Sequence, residues 1–140
     1  MNISDRMKRM HNCVGITIES KDSFSGNLYN CYDKEPYKYT DVDDFFNIIN
    51  SFLDTVEFPA QKFRYRAFKK TYPTLKIVDI DPKEKLFETM DLLPMIGNDS
   101  FILMVTGRDN ASWQGKIYSA ADDEEYDFNS EVELIRILNK

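Results

Sequence analysis

The sequence predicts an α+β fold: two tandem β-β-β-α units in a pseudo-two-fold arrangement, forming an antiparallel sheet with helices packed on one face. Three observations carry this. Residues 23–50 superpose on residues 112–139 without a gap at an offset of 89. Eight of the 28 pairs are identical: Ser23/Ser112, Gly26/Gly115, Tyr29/Tyr118, Asp33/Asp122, Glu35/Glu124, Tyr37/Tyr126, Ile48/Ile137 and Asn50/Asn139. Chance would supply about two. The second observation is a shared order of alternating, strand-like segments, and the third is a capped amphipathic helix closing each copy.

Each copy opens on an apolar strand, residues 14–18 or 101–105. A second strand follows, 24–31 or 113–119, in which Phe24, Gly26 and Leu28 face one way and Ser25, Asn27 and Tyr29 the other. Acidic segments, Asp33-Lys34-Glu35 and Asp122-Asp123-Glu124-Glu125, make the next turn. A short third strand alternates aromatic and polar residues, as Tyr37-Lys38-Tyr39 and Tyr126-Asp127-Phe128. Asp41 with Asp44, and Ser130 with Glu133, then take the N-cap and N3 positions of a helix. Phe45, Ile48, Ile49, Phe52 and Leu53 stripe the first helix; Leu134, Ile135, Ile137 and Leu138 stripe the second.

Three segments result: 1–72, the first unit with an extra strand; 73–99, a connection with a helix; and 100–140, the second unit. Within the connection, residues 75–80 read as another strand. Asp81-Pro82 reads as the start of a helix through Leu93, which Pro94 ends. The first twelve residues read as a polar, loose segment.

Composition bounds the function. At 140 residues with 42% apolar and 14% aromatic content, the chain can bury a core without metal or disulfide. Cys13 and Cys31 lack metal-type spacing and read as buried thiols of a cytoplasmic protein. No apolar run approaches the roughly 18 residues of a membrane span, and residues 1–12 lack the apolar stretch of a secretory signal. A net charge of -6 argues against wholesale binding to nucleic acid or an anionic membrane.

Arg108, Asp109, Asn110, Ser112, Trp113, Gln114 and Gly115, followed by Ser130, Glu133, Leu134 and Ile135, carry a resemblance. The stretch is similar to a family of small uncharacterised proteins from gut Firmicutes with an R-Q-N-x-S-W-Q-G segment and a helix near S-x-L-E-L-I. Asp109 stands where that family has Gln, and Ser119 and Ala120 replace its aromatic after the second strand. The resemblance covers about a third of the chain. It implies an intracellular bacterial protein and supplies no activity; a fused pair of copies implies a pseudo-dimer.

Three clusters are candidates. Arg108, Asn110, Trp113 and Gln114 can present donors around an indole as a ligand or partner contact. They can equally serve a hairpin whose tryptophan fills the core, and hairpin chemistry explains more of them. Asp41, Asp43, Asp44, Asp122, Asp123, Glu124 and Glu131 form an acidic face that could mimic a phosphate backbone; the calcium-loop pattern with its glycine is missing, so no metal is expected. Lys62, Arg64 and Arg66 interleave with Phe63 and Tyr65 in a basic strand, read as an edge strand that discourages aggregation rather than a single-strand nucleic-acid platform. The lone His11 sits in the polar N-terminal segment, giving a nucleophile no obvious base.

The expectation is a non-catalytic cytoplasmic protein, partner-binding or regulatory, with an unknown protein partner, a possible homo-oligomer, no cofactor and no membrane. The alternatives are an acidic inhibitor of a nucleic-acid enzyme and a small-ligand-binding protein or hydrolase.

Overall fold

The computed structural model describes residues 3–57, 77–108 and 112–139. It is α+β, with one six-stranded antiparallel sheet and four helices. The chain runs α1 (Asp5–Arg9), β1 (Val14–Ser20), β2 (Ser25–Asn30), β3 (Tyr37–Tyr39), α2 (Val42–Val56), α3 (Thr89–Ile96), β4 (Phe101–Gly107), β5 (Gln114–Ser119), β6 (Glu124–Phe128) and α4 (Glu131–Leu138). Strand order is β3-β2-β1-β4-β5-β6, so β1 and β4 are the central pair.

Alternation sets the face of each strand. In β2, Gly26, Leu28 and Asn30 are buried while their neighbours are half-exposed. Val14, Ile16, Leu28, Leu103, Val105 and Ile117 share a cluster with the apolar stripes of α2 and α4. Helices α2 and α4 start where expected. Asp41 accepts the N–H of Asp44 at 2.8 Å, and Ser130 accepts that of Glu133 at 3.2 Å. From there Phe45, Ile48, Ile49, Phe52, Leu53 and Val56 recur at helical spacing and are buried.

Gly26 and Gly115 permit the outer strands to close on the inner ones. A Cβ at Gly26 would lie 1.9 Å from the carbonyl oxygen of Thr17, and one at Gly115 would lie 2.1 Å from that of Met104. Both glycines face irregular stretches of their partner strands, between Ile18 and Ser20 and between Val105 and Gly107.

Five expectations are corrected. The helices do not pack on one face alone. Ile3 and Met7, from α1 and its approach, join Ile96 of α3 in a second cluster with Cys13, Ile102, Met104 and Tyr118. The reason is visible in β4, whose residues Ile102 to Val105 are all buried; an unbroken apolar run suits a strand covered on both sides. The N-terminal segment is correspondingly ordered as one capped turn, Ser4 Oγ accepting from Met7 N at 3.2 Å, with Met7 fully buried.

Residues 77–80 are not a strand, and the helix of the connection does not begin at Asp81-Pro82. The Asp81 carboxylate binds the N–H of Lys83 in a tight turn, while Leu86 and Phe87 donate their N–H groups to the carbonyl of Cys31. Those donors are spent on tertiary contacts, so helix begins only at Thr89, with Glu88 and Asp91 as a reciprocal capping box. Nor does Pro94 end α3. Its ring lies within the helix, exposed to solvent, and Gly97 closes the last turn by donating to Leu93.

Candidate functional site

The polar turn around Trp113 resolves into a clamp between the β4–β5 hairpin and α2. Arg108 is 2% exposed, and its Nη1 donates to Asp54 Oδ1 at 2.9 Å and, more weakly, to Asn50 Oδ1 at 3.4 Å. Trp113 is 3% exposed; its indole N–H donates to the same Asn50 oxygen at 3.2 Å, and its ring meets Phe46 edge-on at 4.9 Å. Asn50 and Asp54 lie four apart on α2, one turn above the other, which is why one helix face serves both groups. Gln114 turns inward to the Ser112 carbonyl at 3.0 Å. The Arg108 and Trp113 side chains are therefore spent on tertiary structure. Asn110 lies outside the described residues, as do Lys62, Arg64 and Arg66.

The acidic residues divide by task. Asp41 and Asp44 hold the first turn of α2, where Asp44 also accepts from the backbone and hydroxyl of Thr40. Glu131 accepts from Trp113 N at 2.9 Å and Ser112 Oγ at 3.1 Å, tying the hairpin to α4. Asp122 accepts the phenol of Tyr126 at 2.9 Å and Asp123 that of Tyr118 at 2.6 Å. Asp43 and Glu124 are exposed. Strand directions put Asp41, Asp43, Asp44, Asp122, Asp123 and Glu124 at one end of the sheet and Glu131 at the other.

Titration follows burial. The Cys13 and Cys31 thiols are pushed up from 9.0 to about 12 and about 11, desolvation being the largest cause in each. Tyr37 rises to about 12 through burial and then its hydrogen bond to Asp33; Tyr126 rises first through its bond to Asp122. Thiols held in the neutral form are poor nucleophiles. Among the described residues no group of three His, Cys, Asp or Glu side chains is placed to hold a metal, and no helix is long and apolar enough to cross a membrane.

The described residues form an opening of ligand size. Beside the last turn of α4 lies a cleft of about 410 Å3, lined by Ile18, Phe101, Tyr126, Ile137 and Leu138. Ser119 and Ala121 complete its wall, and the exposed Lys21, Asp99 and Asp122 stand at its mouth. Under α2 a space lined by Val14, Asn30, Tyr37, Ile48 and Ile49, with Phe52 and Val78 also in its wall, holds only about 10 Å3. Val78 has no exposed surface, and the N–H groups of Ile77 and Val78 both donate to Ser51 Oγ at 2.9 Å.

Comparison with protein-family models, with curated proteins and with solved structures finds no match for this chain.

The cleft was missed in the sequence because its walls come from β1, β4, β5, β6 and α4 at once. A faint signal existed. Where the aligned copies should agree, Tyr32 of the first faces Ala121 of the second, a bulky ring against a methyl.

Proposed function

We propose that this chain is a non-catalytic, partner-binding protein of the bacterial cytoplasm, made of two β-β-β-α units fused as a pseudo-dimer, and that it engages its partner through the cleft beside α4. Kinship with the gut-Firmicute family belongs to the same reading.

Strand registers support the pseudo-two-fold arrangement. Val14 opposes Leu103, Gly15 opposes Ile102 and Ile16 opposes Phe101. A two-fold axis through the Gly15–Ile102 pair exchanges Val14 with Phe101 and Ile16 with Leu103. Outward from it, Gly26 opposes Tyr39 as Gly115 opposes Phe128. Val14 and Phe101 are 87 positions apart, Gly26 and Gly115 are 89. The two extra residues fall in the β4–β5 turn, with six residues between Gly107 and Gln114 against four between Ser20 and Ser25.

The observation that carries the function is the contrast between equivalent places. Val14, Asn30, Tyr37, Ile48 and Ile49 correspond to Phe101, Ser119, Tyr126, Ile137 and Leu138, yet the first set closes on about 10 Å3 and the second opens to about 410 Å3. An apolar opening of that size with a few polar groups at its rim is the form binding sites take. Affinity capture from cells tests this, with Ala121→Tyr as the blocked control. A partner recovered by the natural chain and lost with the variant is expected; identical recovery by both would remove the cleft from the function.

A second reading, an acidic inhibitor that mimics a phosphate backbone, draws on the six acidic residues at one end of the sheet. It ranks below because Asp41, Asp44, Asp122 and Asp123 each hold a local hydrogen bond. Its signature would be affinity for a nucleic-acid enzyme falling steeply with salt.

A further inference from the structure

We infer that the occupant of the cleft beside α4 is an extended peptide segment of a protein partner, inserting a branched aliphatic side chain flanked by lysine or arginine. This rests on the partner-binding reading and says what the partner must present.

The other half of the molecule supplies the analogy. At the corresponding place Val78, on a segment that is neither helix nor strand, is buried in the wall of the smaller space, with the segment's backbone anchored to Ser51. The surroundings are matched in detail. Tyr37 donates to Asp33 at 2.7 Å beside one space, and Tyr126 donates to Asp122 at 2.9 Å beside the other. Asn30 Oδ1 accepts the N–H of Asp33 just as Ser119 Oγ accepts that of Asp122. A frame that closes around an aliphatic side chain on one side offers the same grip on the other.

Volume and charge refine the occupant. About 410 Å3 exceeds one valine, so the cleft takes the aliphatic group together with its neighbours. Asn30 and Ile49 are replaced by the shorter Ser119 and the differently branched Leu138, and Tyr32, whose ring lies 6.0 Å from Phe52, by Ala121. The mouth holds two carboxylates, Asp99 and Asp122, against one ammonium, Lys21. Charge complementarity therefore selects a basic residue beside the aliphatic one.

The test titrates the 15N-labelled full chain with the peptide acetyl-Lys-Ile-Val-Lys-Ile-amide and follows amide shifts. Shifts centred on Ile18, Phe101 and Ile137 are expected. Replacing the peptide valine by aspartate should weaken binding about tenfold or more, from the lost aliphatic burial. Exchanging both lysines for glutamate should weaken it about threefold or more at low salt. Ala121→Tyr, which restores the ring of the first half, should abolish the shifts while retaining the circular dichroism of the natural chain. The peptide changes need no folded variant, so the idea stays exposed if Ala121→Tyr misfolds. Shifts elsewhere, or indifference to the valine change, would overturn the inference. So would a chain that self-associates in sedimentation through this cleft, because the occupant would then be a second copy. If the peptide fails while cellular capture still distinguishes the natural chain from Ala121→Tyr, the occupant falls and the partner-binding reading stands.

Discussion

The Arg108–Asp54 pair makes an asymmetric prediction. The guanidinium is 2% exposed and the carboxylate 25%, so the two partners differ in what happens when the other is removed. Asp54→Ala leaves a buried cation that cannot reach water. Breaking a buried pair in this way costs 3–5 kcal/mol, taken here as about 3 because Asp54 is partly hydrated and Asn50 Oδ1 still lies 3.4 Å away. Arg108→Met keeps the aliphatic packing and removes the charge that needs a partner. The carboxylate left behind turns to solvent, and the cost should be about 1 kcal/mol. Urea unfolding of both variants and the double variant, with linear extrapolation and unchanged m-value, gives the three free energies and the coupling. The double variant should resemble Arg108→Met alone. Should Arg108→Met cost as much as Asp54→Ala, the guanidinium would not be the stranded partner and the argument from exposure would fail.

Gly26→Ala and Gly115→Ala each drive a Cβ into a backbone carbonyl, at 1.9 and 2.1 Å, and should each cost about 3 kcal/mol or more as the strands part; melting temperatures check this, and an unshifted pair would mean the hairpins yield freely. Val78→Ala removes two methyl groups from a fully buried site and should cost about 2 kcal/mol, transfer and cavity together, with the plugged space enlarging enough to admit xenon. Stability should fall as pH rises above 9, because unfolded thiols lose protons there while Cys13 and Cys31 keep theirs to about 12 and about 11. The unfolded state then binds fewer protons, the slope is negative, and it reaches about 1.4 kcal/mol per pH unit for each thiol. Cys13→Ala should flatten it in urea titrations at pH 8, 9.5 and 10.5, and a stability rising across that range would contradict the burial argument.

Local signals made much of the fold legible. Asp41 and Ser130 announce their helices because a side-chain oxygen three residues before an orphan N–H acts within a single turn, with no knowledge of the rest of the chain. Tyr37-Lys38-Tyr39 announces a short strand by the same locality. Asp81-Pro82 fails for the converse reason. It carries an acceptable start signal, but the N–H groups of Leu86 and Phe87 are claimed by Cys31, more than fifty residues away in the chain. The second layer on the sheet was illegible because Ile3 and Met7 are two apolar residues in a charged setting, too short a stripe to give a period. Arg108 misleads in its own way. A charged residue in a polar turn reads as exposed, and its burial becomes intelligible only with Asp54 and Asn50, contributed by α2.

The same locality explains why matched hydrogen bonds recur in the two segments while the spaces beside them differ in size. Hydrogen bonds such as Tyr37 to Asp33 and Tyr126 to Asp122 join residues four apart, so they survive wherever the segment is kept. What fills the space beside each tyrosine is a long-range matter, supplied under α2 by Val78 and under α4 by nothing among the described residues. Val78, fully buried and with its backbone N–H held by Ser51 Oγ, packs among the residues that line the smaller space. The cleft beside α4 leaves Ile18, Phe101 and Ile137 partly exposed, apolar area that water hydrates at a cost of about 25 cal/mol per Å2. On the proposed reading, covering that area is the free energy available to a partner.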